Sequence, residues 1–258
     1  MTLSARSVSL TLGENTVLDA VSLQVNPGSV HVVVGPNGAG KSSLLNLLGG
    51  QHSPAQGELV LDGEALHNWP LQALARRLAF LPQQSALNFP FTSEEVVALG
   101  RYPHSSGDQR DREIISEALS AVGGEEMKHR LYTSLSGGEQ QRVHLARVLA
   151  QIWEPSSAGE RYLLLDEPTA ALDLAHQHLT LQMARGLSRQ GVGVLSVLHD
   201  LNLAAQYADV ISLLDRGRVV TQGPPEEVLT SSVIQGVYKV SVEIMRHPSQ
   251  DRLLIVSD

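Results

Sequence analysis

Apolar and polar residues alternate in two stretches near the start of the chain. Every second residue is apolar over 8–12 and again over 21–25, and the turn-forming residues Gly13 and Pro27 follow the two stretches. Side chains of a β-strand point alternately to its two faces, so this period of two predicts two strands that each bury one face. We expect them to pair antiparallel in a β subdomain at the N-terminus.

Four later stretches are apolar almost without interruption. They cover 30–34, 162–165, 192–198 and 210–214, and helical patterns lie between them. Strands buried on both faces produce such runs, and their alternation with helices is typical of a parallel sheet covered by helices on both sides. The predicted fold class is therefore α/β with a parallel core sheet.

Two further parts of the chain have patterns of their own. From about 71 to 151 the apolar spacing is mostly helical, and we predict an inserted helical subdomain at approximately 88–153. The apolar stretches 240–244 and 253–256 flank turn-forming residues and predict a terminal hairpin. A single domain would then span 1–258.

The composition narrows the class of protein. With 258 residues and 42% apolar content, the chain is long enough for one sizeable core. It contains no cysteine, which excludes disulfides and thiolate chemistry, and its net charge of −8 without a basic run argues against a nucleic-acid surface. No stretch approaches the roughly 18 consecutive apolar residues of a spanning helix, and the start lacks the pattern of a signal peptide. We expect a cytosolic protein.

A glycine-rich segment follows the apolar run 30–34. It fits the pattern of a phosphate-binding loop, in which backbone amides and a helix N-terminus face an anion. Lys41 would reach the β- and γ-phosphates of a bound nucleotide, and the hydroxyl of Ser42 would take one position of Mg²⁺. The alternative is a turn that only joins a strand to a helix beginning at Ser43. The candidate nucleotide-binding residues are Gly35, Pro36, Asn37, Gly38, Ala39, Gly40, Lys41, Ser42 and Ser43.

Two adjacent carboxylates, Asp166 and Glu167, follow the apolar run 162–165. Open α/β sheets keep their ligand crevices at this end of their strands. Asp166 suits Mg²⁺, directly or through water. Because alternate side chains leave a strand in opposite directions, Glu167 points elsewhere and is the candidate general base for the attacking water. The alternative is that the pair caps a helix that begins near Pro168.

The segment 135–142, Leu-Ser-Gly-Gly-Glu-Gln-Gln-Arg, carries a further motif. From the residues alone, Ser136 and Glu139 predict a capping box that opens a helix. The segment also resembles the signature motif of the ABC transporter ATPases, a family of P-loop NTPases. In that family Ser136, Gly137 and Gly138 would bind the ATP held by a partner chain. The resemblance therefore implies an isologous homodimer with two ATP molecules between its subunits.

Other positions resemble the family in the same order over nearly the whole chain. The resemblance implies that Gln83 is the Q-loop glutamine, which contacts Mg²⁺ and the attacking water. Asp173 would be the D-loop aspartate at the dimer interface, and His199 the switch histidine that hydrogen-bonds the γ-phosphate. One position departs from the family, because Leu12 stands where an aromatic ring usually stacks on adenine. Without that ring, we expect weaker ATP binding and looser nucleotide selectivity.

Within the family, residues 81–83, 99–104 and 199–204 resemble the importers of iron chelates, haem and vitamin B12. Residues 150–153 and 172–177 are most similar to the haem branch. This resemblance implies an ATPase subunit at the cytoplasmic face of the inner membrane. Its partners would be a second copy of itself, two transmembrane permease subunits and a periplasmic substrate-binding protein, with no nucleic acid.

Three alternatives remain open at this stage. The cargo could be a ferric siderophore or vitamin B12 rather than haem. The chain could be a soluble ABC protein that acts on DNA or ribosomes, although it lacks the basic surface of such proteins. It could also be a nucleotide-binding module without turnover, although such a module needs no water-positioning residues. We expect His176 and His178 to be exposed to solvent rather than to bind haem or a metal.

Overall fold

A computed structural model describes residues 2–83, 87–248 and 252–257. In these residues it confirms the predicted α/β class. The strands are β1 (Leu3–Leu12), β2 (Asn15–Val25), β3 (Val30–Val34), β4 (Gln56–Leu61), β5 (Glu64–Ala65), β6 (Leu78–Leu81), β7 (Tyr162–Asp166), β8 (Gly193–Val197), β9 (Val210–Asp215), β10 (Arg218–Gly223), β11 (Val242–Arg246) and β12 (Leu253–Ser257). The helices are α1 (Lys41–Leu48), α2 (Leu71–Ala75), α3 (Ser93–Ala98), α4 (Asp108–Ala121), α5 (Gly137–Gln151), α6 (Leu174–Arg189), α7 (Leu201–Tyr207), α8 (Pro225–Val228) and α9 (Ser231–Tyr238).

The larger sheet has the strand order β10-β9-β3-β8-β7-β6. All neighbours in it are parallel except β10, which runs antiparallel to β9. Every residue of β3, β7 and β8 is buried, and adjacent residues such as Val32 and Val33 belong to different hydrophobic clusters. Both faces of the sheet are therefore covered, as the continuous apolar runs predicted.

The smaller sheet has the order β2-β1-β4-β5, and its strands pair antiparallel. It confirms the predicted N-terminal β subdomain. Buried residues of β1, β2 and α1 share one hydrophobic cluster with Val33 and Leu164 of the parallel sheet. The strand β4 was not predicted from the sequence, because its first three residues are exposed and only the last three are buried.

Helices α3, α4 and α5 pack against one another and share the second hydrophobic cluster. The segment 71–151 is not as continuously helical as the sequence indicated, because β6 lies inside it as the edge strand of the parallel sheet. Four residues are too few for a period to be recognised. The boundaries 88–153 of a helical subdomain stay a prediction.

The C-terminal part of the chain contains two antiparallel pairings. β11 and β12 form the predicted terminal hairpin. β10, which was not predicted, extends the parallel sheet with alternately exposed residues. In the part of the chain that the structure describes, no helix has the length and apolar character needed to cross a bilayer.

Candidate active site

The glycine-rich loop connects β3 to α1 and depends on glycine at two positions. Gly35 and Gly40 have backbone φ angles of 153° and 100°, which residues other than glycine rarely adopt. A methyl group on Gly35 would lie 2.1 Å from the carbonyl oxygen of Leu214, and one on Gly40 would lie 2.8 Å from that of Val17. Helix α1 begins at Lys41, two residues earlier than the sequence indicated, because Gly40 forms its N-cap.

Lys41 is buried, and its ammonium group lies against the loop that precedes it. Its Nζ donates to the carbonyl oxygens of Gly35 at 2.8 Å and of Pro36 at 2.9 Å. Burial lowers the pKa of Lys41, while the nearby charges of Glu167 and Asp166 raise it. An ammonium group held at a helix N-terminus by neutral carbonyls is suited to binding an anion.

Ser42, the residue after Lys41, brings its hydroxyl oxygen next to the carboxylate of Asp166. The Ser42 hydroxyl donates to Oδ1 of Asp166 at 3.0 Å. Burial raises the pKa of the Asp166 carboxyl, and the hydrogen bond from Ser42 opposes this change. Among the described residues no group of three or more His, Cys, Asp or Glu side chains is arranged to hold a metal ion. The pair nevertheless fits Mg²⁺, which commonly uses one or two protein oxygens together with water and substrate phosphates.

The carboxylate of Glu167 contacts two side chains that follow the neighbouring strands. Its Oε2 accepts a hydrogen bond from Nε2 of Gln83 at 2.7 Å, and its Oε1 lies 2.5 Å from Nε2 of His199. Gln83 follows β6, Glu167 follows β7 and His199 follows β8. The parallel order of these strands therefore brings together the three residues that the sequence singled out as catalytic.

The backbone of Glu167 is left-handed, with a φ of 51°. This conformation is strained for a residue with a side chain, at a cost of about 1–3 kcal/mol. Asp166 and Glu167 do contact different partners, as predicted. The cause is this backbone turn beyond the end of β7 rather than strand alternation. The carbonyl oxygen of Glu167 also accepts from Nε2 of Gln141 at 3.2 Å.

The side chains of Lys41, Ser42, Gln83, Glu167 and His199 line one open cleft of about 390 Å³. Asp166 is buried and, like Gly35 and Pro36, is not among the described residues that line it. The cleft lies at the carboxyl ends of the parallel strands, where α/β sheets bind ligands. Ala39, by contrast, is buried in the hydrophobic core. The residues that line the cleft are Val17, Asn37, Gly38, Gly40, Lys41, Ser42, Ser43, Gln83, Glu167 and His199.

The segment 136–138 opens α5 and lies apart from this cleft. Ser136 and Glu139 form the predicted capping box, and hydrogen bonds from Ser136 and Arg130 lower the pKa of Glu139 to about 2. None of Ser136, Gly137 and Gly138 is among the described residues that line the cleft of the same chain. A methyl group on Gly138 would lie 3.0 Å from the carbonyl oxygen of Ala171.

Asp173 is the N-cap of α6, where its carboxylate accepts from the backbone N–H of His176 at 2.9 Å. The alternative of a helix that begins near Pro168 is wrong, because residues 168–171 form turns. The prediction that His176 and His178 are exposed is also wrong. Both are half-buried, His176 beside Asp173 and His178 with its Nδ1 2.8 Å from the hydroxyl of Tyr207.

Three residues near the site were not predicted from the sequence. Val17 lines the cleft, whereas Leu12 at the end of β1 is 46% exposed. Gln141 contacts Glu167 and belongs to the segment already singled out as a motif. The phenol of Tyr238 in α9 is packed near the backbone of Gly35, and burial raises its pKa to about 12. No local pattern indicates Tyr238, because the contact is long-range.

Comparison with known proteins identifies the class to which this fold and site belong. Residues 18–170 match the model of the ABC transporter family, and the chain belongs to this family. It is therefore an ATP-binding protein with ATPase activity. It is 52% identical to the hemin import ATP-binding protein HmuV of Pseudomonas entomophila, over 99% of both chains. It is 50% identical to the protein of that name from Pseudomonas aeruginosa, also over 99% of both chains.

Solved structures agree with this assignment. One similar structure is an inward-facing transporter assigned to the metal-chelate type of ABC transporter. Its matching chain has a TM-score of 0.81 and 26% sequence identity, and the match covers 100% of this chain and 97% of that chain. A dimeric ATP-binding cassette in a post-hydrolysis state with ADP and Pi matches with a TM-score of 0.73 and 26% identity, over 86% and 98% of the two chains.

Proposed function

We propose that this chain is the ATPase subunit of an importer that takes haem across the inner membrane. The observation that carries the hydrolytic part is the Glu167 carboxylate, held between Gln83 and His199 at the edge of the phosphate-loop cleft. The near full-length similarity to hemin import ATP-binding proteins supports haem as the cargo.

ATP would bind with its phosphates on the glycine-rich loop. Phosphate oxygens would take the place of the carbonyl oxygens of Gly35 and Pro36 as partners of the Lys41 ammonium. The backbone amides at the start of α1 and the Ser43 hydroxyl would hold the same anion. Ser42, Asp166 and Gln83 would hold Mg²⁺, which when bound neutralises phosphate charge. Val17 would offer an apolar surface to the nucleotide.

Glu167 would act as the general base for hydrolysis. It would accept a proton from a water molecule whose oxygen attacks the γ-phosphorus, while the bond from that phosphorus to the β-phosphate bridging oxygen breaks and ADP leaves. Gln83 and His199 fix the Glu167 side chain in this structure. We propose that His199 hydrogen-bonds the γ-phosphate once ATP is present.

Hydrolysis would require a second copy of the chain. Ser136, Gly137 and Gly138 form a capped helix N-terminus, which is a second device for binding phosphate. Because these residues lie apart from the cleft of their own chain, we propose that they contact the γ-phosphate held by a second copy. Asp173, at the start of α6, would cross the same interface. Two equivalent sites in a homodimer follow from this arrangement.

The permease would contact a groove beside the cleft. This groove is lined by residues of α1, α2, β6 and α5, and exposes Leu71 at 85% and Leu99 at 45%. Pro82 lines the groove and the next residue, Gln83, lines the cleft. We propose that two permease subunits bind the two grooves, at the cytoplasmic face of the membrane. A periplasmic substrate-binding protein would act through the permease, and nucleic acid would take no part.

A ferric siderophore or vitamin B12 importer is the second candidate, supported by the likeness to a transporter of the metal-chelate type. The test is the ATPase rate of the complex reconstituted with its permease and binding protein. Stimulation by haem-loaded binding protein, abolished in the Glu167→Gln complex, is the expected result. Stimulation by a ferric siderophore or vitamin B12 instead of haem would show that the cargo is not haem. The absence of ATP turnover under every condition would refute the proposed ATPase role.

A further inference from the structure

The C-terminal hairpin is attached to the helix that follows His199. Asn202, in the first turn of α7, pairs its side-chain amide with the backbone of Ile255 in β12. Its Oδ1 accepts from the Ile255 N–H at 2.7 Å, and its Nδ2 donates to the Ile255 carbonyl oxygen at 3.1 Å. The amide therefore satisfies both polar groups of one strand residue, as a neighbouring strand would. A second contact joins Arg252 to Oε1 of Gln206, one turn further along α7.

Helix α7 is also held by its buried side chains Leu203, Ala204 and Tyr207 and by hydrogen bonds at its two ends. Asp200 caps its start by accepting from the backbone of Asn202 at 2.7 Å and of Leu203 at 3.0 Å. Arg185 holds its end through the carbonyl oxygen of Tyr207 at 3.0 Å. With seven residues the helix is short, so its position depends on such tertiary contacts rather than on its own stability.

His199 has little packing of its own. Its side chain is 45% exposed, whereas that of its partner Glu167 is 12% exposed. The direction of the imidazole therefore follows the backbone just before α7. Asn202 lies three residues further on, which is about one helical turn. A shift at the start of α7 would move the imidazole relative to Glu167, and displacements of about 1 Å can cost a hundredfold in rate.

We propose that Asn202 is a positioning residue for hydrolysis, and that the hairpin β11–β12 fixes His199 through it. This inference rests on the role of His199 under the proposed function. It assigns to the C-terminal hairpin, which lies outside the residues 18–170 matched by the family model, a part in the hydrolytic step. Binding of ATP by the glycine-rich loop does not depend on it.

The test compares Asn202→Ala, His199→Ala and the double variant in full-length protein. We expect Asn202→Ala to lower kcat about tenfold and to change the dissociation constant for ATP less than about twofold. In the His199→Ala background the same change should lower kcat by less than about twofold, because both act through one imidazole. A merely structural effect would instead lower kcat by a similar factor in both backgrounds.

Thr230→Ala is the matched control, because it removes the side-chain cap of α9 in the same C-terminal part of the chain and leaves both hydrogen bonds between Asn202 and Ile255 in place. Its kcat should stay near the wild-type value. If Asn202→Ala does not fold, Arg252→Ala weakens the same attachment and should lower kcat in the same non-additive way. Wild-type kcat in the folded Asn202→Ala protein, with a reduced kcat in His199→Ala, would overturn this inference alone. Wild-type kcat in His199→Ala would overturn the proposed role of His199 itself.

Discussion

Burial of His31 should make the stability of the folded protein depend on pH. His31 lies in β3, directly before the phosphate loop, and is 2% exposed. Its Nδ1 donates to the carbonyl oxygen of Gln24 at 3.0 Å, and its Nε2 lies 2.8 Å from Oγ of Ser212. Burial lowers the pKa of His31 from 6.5 to about 4, and the hydrogen bond to Gln24 only partly opposes this change.

The free energy of unfolding depends on pH because the folded and unfolded chains bind a proton on His31 at different pH values. At a pH well above 6.5 the imidazole is neutral in both states, so it adds no pH dependence there. As the pH falls from 6.5 towards 4, the unfolded chain binds a proton that the folded chain cannot, and the free energy of unfolding decreases. A difference of about 2.5 pKa units corresponds to a loss of about 3 kcal/mol, as an upper value.

The measurement is urea unfolding of the wild type and His31→Gln at several pH values between 7.5 and 4. Carboxylates titrate in both proteins and cancel in the comparison. The wild type should be the more stable at pH 7.5, and its advantage should shrink by about 3 kcal/mol at pH 4. His52→Gln, which replaces an exposed imidazole, serves as the control. Parallel curves for the wild type and His31→Gln would refute the reasoning.

Three further predictions concern the nucleotide site. Lys41→Ala should weaken ATP binding at least tenfold in a titration with ATP, since it removes the buried cation of the loop, and unchanged affinity would count against this role. Gly35→Ala should reduce the free energy of unfolding by more than about 2 kcal/mol because of its contact with Leu214, and a folded variant of wild-type stability would contradict the geometry. Ser136→Ala should reduce the free energy of unfolding by about 1 kcal/mol, because it removes the cap that Ser136 forms with Glu139, and thermal unfolding should show a lower Tm. An unchanged Tm would contradict a stabilising role of this cap.

The sequence predicted those parts of the fold whose local pattern is long enough to show a period. The runs 162–165 and 192–198 became buried parallel strands, because an unbroken apolar run between helical segments is typical of a strand covered on both faces. The strand at residues 78–81 was not predicted, because four apolar residues fit a helix or a strand equally well. Strands β4 and β10 were not predicted because polar residues interrupt their apolar pattern.

The candidate site was predictable where chemistry is carried by neighbouring residues. Gly35 to Ser42 form one such unit, and Asp166 with Glu167 another. The left-handed backbone of Glu167 was not predictable, since it depends on surrounding contacts rather than on local preference. The partners of His178 and Asn202 come from distant parts of the chain, Tyr207 and Ile255, and no pattern in one sequence reports such pairs.

The central claim is that Glu167 is the general base at an ATP site shared by two chains. The most direct test is ATP turnover of Glu167→Gln, measured together with its molecular mass in solution with ATP and Mg²⁺. The isosteric amide keeps the size and shape of the side chain but cannot accept the proton from water. We predict retained ATP binding, hydrolysis reduced at least a hundredfold and a stable dimer. Turnover at the wild-type rate by a monomeric variant would contradict the account.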